Sequence, residues 1–176
     1  DILMDSRYVA LGHRRLSIID LADVANQPMT LDNYSLIFNG EIYNYKEIRR
    51  ELIGCGYSFE TKSDTEVLLK SYIHWGEDCV DKFNGMWAFC IFDILKQEFF
   101  ISRDRIGVKP LYYYLDDNNF YFASEIKAIL EFKISRVANK KEIVKFLIYG
   151  AQENTEATTF NDISRFPAGQ NGIFSL

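Results

Sequence analysis

The chain has 176 residues, of which 48% are hydrophobic, 15% aromatic and 26% charged, and its formal net charge is -5. This length suits one domain and is short for two, and the acidic balance argues against nucleic acid as the main partner, because phosphate binding needs clustered Lys and Arg. No apolar run approaches the roughly 20 residues of a membrane helix, and the polar start of the chain does not resemble a signal peptide.

The first part of the chain contains short β-rich runs and two helical patterns. Turn-forming residues predict a loop at residues 20–33, and Asn39-Gly40 is a dipeptide that often makes a tight turn. Asn44 and Ser63 each precede a glutamate by three residues, the spacing of a capping box at a helix start. Helices are therefore predicted from Asn44 to Gly54 or Gly56 and from Ser63 to Trp75. The predicted strands of this part are residues 8–12, 16–19, 34–38 and 57–61.

The second part of the chain contains two predicted hairpins and two further helices. The hairpins join residues 87–94 to 98–103 and residues 111–115 to 120–123, with short polar turns between them. The predicted helices are residues 124–130, capped by Ser124, and residues 140–149, and one last strand follows a turn at residues 166–169. Strands clustered in hairpins with separate helices indicate antiparallel sheet with helices packed on it, the α+β class.

The three cysteines, Cys55, Cys79 and Cys90, include no CxxC pair. A sparse, odd number of cysteines fits a reducing cytoplasm better than a disulfide framework, and buried thiols are the ordinary interpretation. His13 and His74 share no ligand spacing with the cysteines, so no zinc site is predicted.

Four polar segments interrupt or end the predicted strands and helices, and no metal motif, phosphate-binding loop, dinucleotide fingerprint or nucleophile elbow accompanies them. They are residues 14–15, 39–41, 64 and 103–105. Each has an ordinary explanation: a surface arginine lying along apolar groups, a turn, an acid in the first turn of a helix, and a structural ion pair between Arg103 and Asp104. Taken singly, none predicts a function.

Taken together and in chain order, these segments resemble the glutaminase domain of the asparagine synthetases, which are class II glutamine amidotransferases with the N-terminal-nucleophile fold. The resemblance runs from about residue 8 to residue 130, with a weaker similarity at residues 159–160 and 165–169. Several motifs in the right order are more specific than any one alone. They are residues 11–20, 38–44, 63–67, 84–89, 103–113 and 123–127.

The resemblance implies a four-layer αββα sandwich of two stacked antiparallel sheets, with residues 1–176 forming a single glutamine amidotransferase type 2 domain that is incomplete at its N-terminus. L-glutamine would be the substrate, and an ATP-dependent C-terminal synthetase domain of the same polypeptide, absent from this sequence, would be the partner. A homodimer is compatible with the resemblance. No cofactor is expected in this domain, whereas ATP and Mg²⁺ would bind in the synthetase domain.

The chemistry implied is hydrolysis of glutamine through a thioester. A cysteine thiol attacks the side-chain carbonyl, and the α-amino group of the same cysteine acts as base. The tetrahedral intermediate carries an oxyanion, and the resemblance implies that the side-chain amide of Asn39 and the backbone N–H of Gly40 donate hydrogen bonds to it. The family's nucleophile is the first residue of the mature chain, whereas Asp1 stands first here and the three cysteines lie inside the chain. The nucleophile is therefore expected to be missing, and this chain alone should not hydrolyse glutamine.

The remaining site residues implied by the resemblance hold the free amino acid at its other end. Arg15 would clamp the α-carboxylate, a task suited to a forked guanidinium. Asp64 and Glu41 would hold the α-ammonium, and backbone groups near Ile18 would complete the pocket. Arg103, Asp104 and the turn at residues 107–110 would be structural.

Two other functions stay open at this point. One is a class II amidotransferase that passes ammonia to a different acceptor, such as an amino sugar or a phosphoribosyl group. The other is a non-catalytic relative that binds an amino acid or a partner protein. The pattern at residues 39–44 and 103–113 favours an asparagine synthetase over the first alternative.

Overall fold

The computed structural model describes residues 2–4, 7–14, 26–150 and 155–176. It divides into a large unit, Asp1–Ser102 with Asn171–Leu176, and a small unit, Arg103–Gln170. Each unit combines antiparallel strands with helices, which confirms the predicted α+β class. Within those ranges, every helix falls short of the length and apolar character that a membrane crossing requires.

A five-stranded sheet dominates the large unit, beside a separate pair formed by β1 (Ile2–Met4) and β2 (Arg7–Val9). β5 is apolar at almost every position and buried over most of its length, as expected for a central strand that is covered on both faces. The strands of the larger sheet are β3 (Met29–Leu31), β4 (Tyr34–Ile42), β5 (Gly85–Asp93), β6 (Glu98–Arg103) and β10 (Asn171–Ser175), in the spatial order β10-β6-β5-β4-β3.

Two helices complete the core of the large unit. α1 (Tyr45–Gly54) buries Ile48 and Leu52, which lie four residues apart and so share one face. α2 (Asp64–Trp75) is buried over its whole first half, polar residues included, and a 3-10 helix at Gly76–Lys82 follows it. The span of α2 confirms the predicted helix. The fully buried side chains of this core include Leu36, Leu52, Val67, Leu68, Phe89 and Ile91.

Two loop and strand predictions for the large unit are wrong. The predicted loop at residues 20–33 contains β3, which pairs with the start of β4. The predicted strand at residues 57–61 is a loop, because the amides of Glu60 and Thr61 bind a side chain of α2 rather than another strand. The predicted strand at residues 16–19 lies outside the described residues.

The two predicted capping boxes form only in part. Ser63 caps α2 as expected, and its hydroxyl accepts a hydrogen bond from the Glu66 amide at 3.3 Å. Asn44 begins α1, but its side chain makes no capping bond. It donates to the Lys82 carbonyl at 2.9 Å and accepts from the Asn84 amide at 2.8 Å, and it thereby ties the start of α1 to the segment before β5.

The small unit is built on the predicted second hairpin, β7 (Tyr112–Leu115) with β8 (Phe120–Ala123). A short strand, β9 (Ser164–Arg165), pairs with the other edge of β7. α3 (Ile126–Ile129) is shorter than predicted and is preceded by Glu125 rather than capped by Ser124. α4 (Lys140–Tyr149) matches its prediction, and the Asn139 side chain caps it.

Candidate functional site

The segment Asn39-Gly40-Glu41 lies inside β4 and does not form the turn that Asn-Gly often makes. β4 continues through these residues to Ile42, and its register with β5 places Gly40 opposite Trp87. The three residues are half-buried. Pairing with β3 ends at Leu36, so among the described residues only β5 pairs with this end of β4. The segment is therefore held in place by β5 along one edge.

Backbone packing at Gly40 leaves no room for a side chain. A Cβ at this position would lie 2.2 Å from the Met86 carbonyl oxygen and 2.8 Å from the Trp87 Cα. Gly85 is crowded in the same way from the opposite strand, since its Cβ would lie 2.1 Å from the Glu41 carbonyl oxygen. These two glycines allow the close approach of β4 and β5 that a side chain would prevent.

The Asp64 carboxylate reaches the end of β4 from the first turn of α2. Its Oδ2 atom accepts a hydrogen bond from the Ile42 amide at 3.1 Å, and the residue is 6% exposed. Asp64 therefore lies beside the strand end that follows Asn39-Gly40-Glu41, although it is more than twenty positions away in sequence. The structure thus places Asp64 near Glu41 and at the strand end that follows Asn39 and Gly40.

The Asp64 side chain is buried and has no cationic side chain beside it among the described residues. Burial raises the pKa of its carboxyl above the ordinary value, the bond from the Ile42 amide opposes that rise, and the nearby charge of Glu41 adds to it. A carboxylate in such a place is more stable when a positively charged group stands next to it. The position is suited to binding an ammonium group.

Arg15 and Ile18, the other two predicted site residues, lie outside the described residues. The assignment of Arg15 to the glutamine α-carboxylate and of Ile18 to backbone contacts therefore stays a prediction.

The predictions from sequence missed a buried network around Glu66 in the first turn of α2. Glu66 Oε1 accepts from the Glu60 amide at 2.9 Å and from Lys70 Nζ at 2.6 Å, while Oε2 accepts from the amide and the hydroxyl of Thr61, each at 2.7 Å. Lys70 also donates to the Ser58 carbonyl. The Glu66–Lys70 spacing of four residues was the signal available in the sequence, but such pairs are usually exposed.

The two buried cysteines lack the environment of an activated thiol. Burial raises the pKa of Cys79 to about 12, and it raises the pKa of Cys90 well above the usual range. Cys55 is exposed at the C-terminal end of α1. A thiolate nucleophile needs a lowered pKa or an adjacent base, which neither buried thiol shows.

Arg103 and Asp104 organise the turn that follows β6, in agreement with the structural role expected for them. The buried Arg103 guanidinium donates to the carbonyls of Gly107 at 2.8 Å, Lys109 at 2.7 Å and Phe166 at 2.6 Å. The Asp104 carboxylate accepts from the amides of Val108 at 2.8 Å and Lys109 at 2.9 Å. Both charges thus bind backbone groups of the small unit.

Comparison with known proteins relates the whole chain to one family. A family model described as a glutamine amidotransferase domain matches residues 1–175. Glutamine-hydrolyzing asparagine synthetase 3 of Bacillus subtilis is 49% identical over 127 residues, which cover 70% of this chain and 20% of that protein. Glutamine-hydrolyzing asparagine synthetase 2 of the same organism is 38% identical over 173 residues, which cover 94% of this chain and 23% of that protein. The chain thus spans about a fifth of the length of these relatives.

A solved structure is similar in fold. The glutamine phosphoribosylpyrophosphate amidotransferase of B. subtilis, in complex with ADP and GMP, has a TM-score of 0.57 and 25% sequence identity, covering 66% of this chain and 28% of that one. This likeness agrees with the α+β arrangement described above.

Proposed function

Because the chain belongs to the glutamine amidotransferase domain family, we propose that it is the glutamine-hydrolysing part of an asparagine synthetase. The ammonia released would pass to an ATP-dependent, amide-forming domain of the same polypeptide, where ATP and Mg²⁺ would bind. Relatives that carry that name, and of which the aligned residues cover only about a fifth, support this proposal. The family match spans both units, which supports treating them as parts of one domain.

The observation that carries the proposal is the position of the Asp64 carboxylate. It is buried beside the end of β4, accepts a hydrogen bond from the Ile42 amide and makes no ion pair with the described residues. The α-ammonium of glutamine would place a positive charge beside it. Glu41, in the same strand end, would add a second negative charge, and a site that pairs the α-ammonium in this way rejects amides that lack it, because a buried charge would be left unpaired.

Asn39 and Gly40 would stabilise the oxyanion of the tetrahedral intermediate through the Asn39 side-chain amide and the Gly40 N–H. The absence of a Cβ lets the Gly40 backbone approach the reacting carbon closely. Loss of one such donor typically costs about 2.7–4 kcal/mol of transition-state stabilisation. Arg15 would hold the α-carboxylate, and backbone groups near Ile18 would contact the same end of the substrate.

The reaction would begin with attack of a cysteine thiolate on the glutamine amide carbon. The C–S bond forms, the C–N bond breaks as ammonia leaves with the transferred proton, and water then cleaves the thioester to release glutamate. Cys55, Cys79 and Cys90 lack a free α-amino group because each lies inside the chain. The nucleophile is therefore assigned to a cysteine other than these three.

The test uses the complete protein that carries this domain, with L-glutamine and free ammonia as alternative nitrogen sources. Asp64→Asn and Arg15→Ala should each raise the KM for glutamine strongly, whereas Asn39→Ala should lower glutaminase kcat by about 100-fold or more. All three should leave ammonia-dependent synthesis unchanged. Asp81→Asn, which changes an exposed aspartate of the large unit, is the control. Equal losses with both nitrogen sources would overturn the proposed site.

A second candidate is an amidotransferase with a phosphoribosyl acceptor, favoured by the fold likeness to the phosphoribosylpyrophosphate amidotransferase. The higher identity to asparagine synthetases makes it the weaker candidate. Supplying the complete protein with glutamine and either aspartate plus ATP or phosphoribosylpyrophosphate separates the two, because only the true acceptor yields an aminated product.

The proposal places the enzyme in the cytoplasm, because its three cysteines form no disulfide and free thiols persist in a reducing compartment. Assembly as a homodimer is the expectation that sedimentation of the complete protein would test.

A further inference from the structure

Residues 58–61, in the loop that leads into α2, form no strand or helix. Side chains of α2 bind their polar groups. Glu66 accepts from the amides of Glu60 and Thr61 and from the Thr61 hydroxyl, at distances of 2.7 to 2.9 Å. Thr61 in turn contacts the Ser63 hydroxyl at 2.8 Å. One carboxylate thus sets the path of the chain immediately before Asp64.

Lys70 extends this network one turn further along α2. Its ammonium lies 2.6 Å from Glu66 Oε1, donates to the Ser58 carbonyl and lies over the Phe59 ring at 4.6 Å from the centroid. The side chains of Lys70 and Glu66 are 9% and 6% exposed. The loop from residue 58 to residue 61 is therefore attached to α2 at both of its ends.

A buried ion pair of this kind is a poor way to gain stability. Two well-packed apolar residues in the same place are often equally or more stabilising, because each charge must be removed from water. Burial alone would raise the pKa of Glu66, but the Lys70 ammonium together with the amide and hydroxyl donors lowers it below the ordinary value. Glu66 is thus held as an anion by groups that belong almost entirely to the loop and to Lys70.

That loop leads through Ser63 directly to Asp64. Asp64 is the first residue of α2, follows the cap Ser63 directly and reaches the Ile42 amide at 3.1 Å. A shift of the loop would turn the first turn of the helix and move the Asp64 carboxylate relative to β4. An error of about 1 Å in a substrate-positioning group can reduce activity by about 100-fold.

We infer that Glu66 is a positioning residue for glutamine: together with Lys70 it fixes the loop before α2, so that the Asp64 carboxylate is aimed at the substrate α-ammonium. This inference rests on the proposed function. Glu66 itself touches no substrate, and its removal should reduce the preference for substrates that carry an α-ammonium.

The experiment measures discrimination in the complete protein, as the ratio of kcat/KM for amide hydrolysis of L-glutamine to that of 4-carbamoylbutanoate, which is glutamine without its α-amino group. Glu66→Gln keeps the shape of the side chain and should lower this ratio about tenfold, within the range of coupling between neighbouring residues. Asp64→Asn should lower it at least as much. The double variant should lose little more than Asp64→Asn alone, because Glu66 acts through Asp64.

Glu51→Gln is the matched control, because Glu51 forms an ion pair with Lys82 at 2.7 Å on the exposed side of the large unit. It should leave the ratio unchanged. Thr61→Val, which removes one bond to Glu66 but no charge, should have a smaller effect than Glu66→Gln and guards against misfolding of the latter. Ammonia-dependent synthesis should be unchanged in Glu66→Gln, Thr61→Val and Glu51→Gln.

The outcomes separate the inference from the proposed function. If Asp64→Asn leaves discrimination unchanged, the assignment of the α-ammonium to Asp64 fails, and the inference fails with it. If Asp64→Asn abolishes discrimination while Glu66→Gln retains it, or if the two effects multiply in the double variant, only the positioning role is overturned.

Discussion

Replacing Gly40 with alanine should separate β4 from β5 at that position. The new Cβ would lie 2.2 Å from the Met86 carbonyl oxygen, 2.6 Å from a ring carbon of Phe38 and 2.8 Å from the Trp87 Cα. Two of these three atoms belong to backbone and cannot rotate away. The strands must therefore move apart by about 1 Å to restore ordinary contact, which begins at 3.4 Å.

The expected loss of stability follows from this displacement. Overpacking of a well-filled interior typically costs about 1–3 kcal/mol, and each interstrand hydrogen bond that opens adds about 1 kcal/mol. We expect Gly40→Ala to lower the free energy of unfolding of the large unit by about 3 kcal/mol. Gly54→Ala is the matched control: nothing lies within 4 Å of its Cβ position at the end of α1, so alanine should stabilise the helix by about 0.5–1 kcal/mol.

Urea unfolding followed by tryptophan fluorescence measures this difference in the large unit alone. The protein has two tryptophans, Trp75 at the end of α2 and Trp87 opposite Gly40, and both belong to the large unit. With an m-value of about 2 kcal/mol/M, the midpoint for Gly40→Ala should fall by about 1.5 M urea. If both alanine variants unfolded at the same urea concentration, the close approach of the strands would not be what requires glycine at position 40.

Three further predictions concern charge and burial. Because burial raises the pKa of Asp64 above 3.8, its charge destabilises the fold at neutral pH. Asp64→Asn should therefore be more stable than the parent at pH 7, and urea titrations should show the gain fading as the pH falls towards 3.8, where the parent carboxyl is protonated. A lysine cannot donate to three carbonyls in the planar geometry of the Arg103 guanidinium. Arg103→Lys should therefore destabilise the small unit by about 3 kcal/mol and speed amide exchange at Val108; unchanged exchange would refute the role of Arg103 in holding this turn. A thiol reagent should label Cys55 rapidly and the two buried cysteines only after unfolding, and rapid labelling of more than one thiol would contradict their burial.

The sequence patterns correctly predicted those helices and strands whose own residues carry the capping and burial signals. α2 follows from a serine cap and an apolar face, and β5 from a run of apolar and aromatic residues that only a covered strand accommodates. The convergence of Asp64 with residues 39–41 came from the resemblance to a family, because the spacing between them carries no distance information. The observed bond from the Ile42 amide to Asp64 places Asp64 at the strand end that follows residues 39–41.

The wrong predictions arose where a partner distant in sequence overrides a local preference. Asn39-Gly40 favours a turn, but pairing with β5 keeps both residues extended. Residues 57–61 have the aromatic and β-branched side chains of a strand, yet Glu66 takes the amides that strand pairing would need. The position of β3 likewise depends on the edge that β4 offers. Each of these outcomes depends on contacts that form only in the folded protein, and local propensity carries no information about such contacts.

The course of the chain through the large sheet has a consequence for how the protein is made. β10 pairs with β6, and Asn171 lies opposite Ser102, so the chain leaves this sheet for the whole of Arg103–Gln170 and returns to the strand it had just left. During synthesis, the edge of β6 that later pairs with β10 therefore stays unpaired until the ribosome has translated the intervening residues. β6 contains Phe99 and Ile101. Uncovered strand edges of this kind are where nascent chains pair with the wrong neighbour. Slower translation of Arg103–Gln170 should therefore make newly made protein more dependent on chaperones.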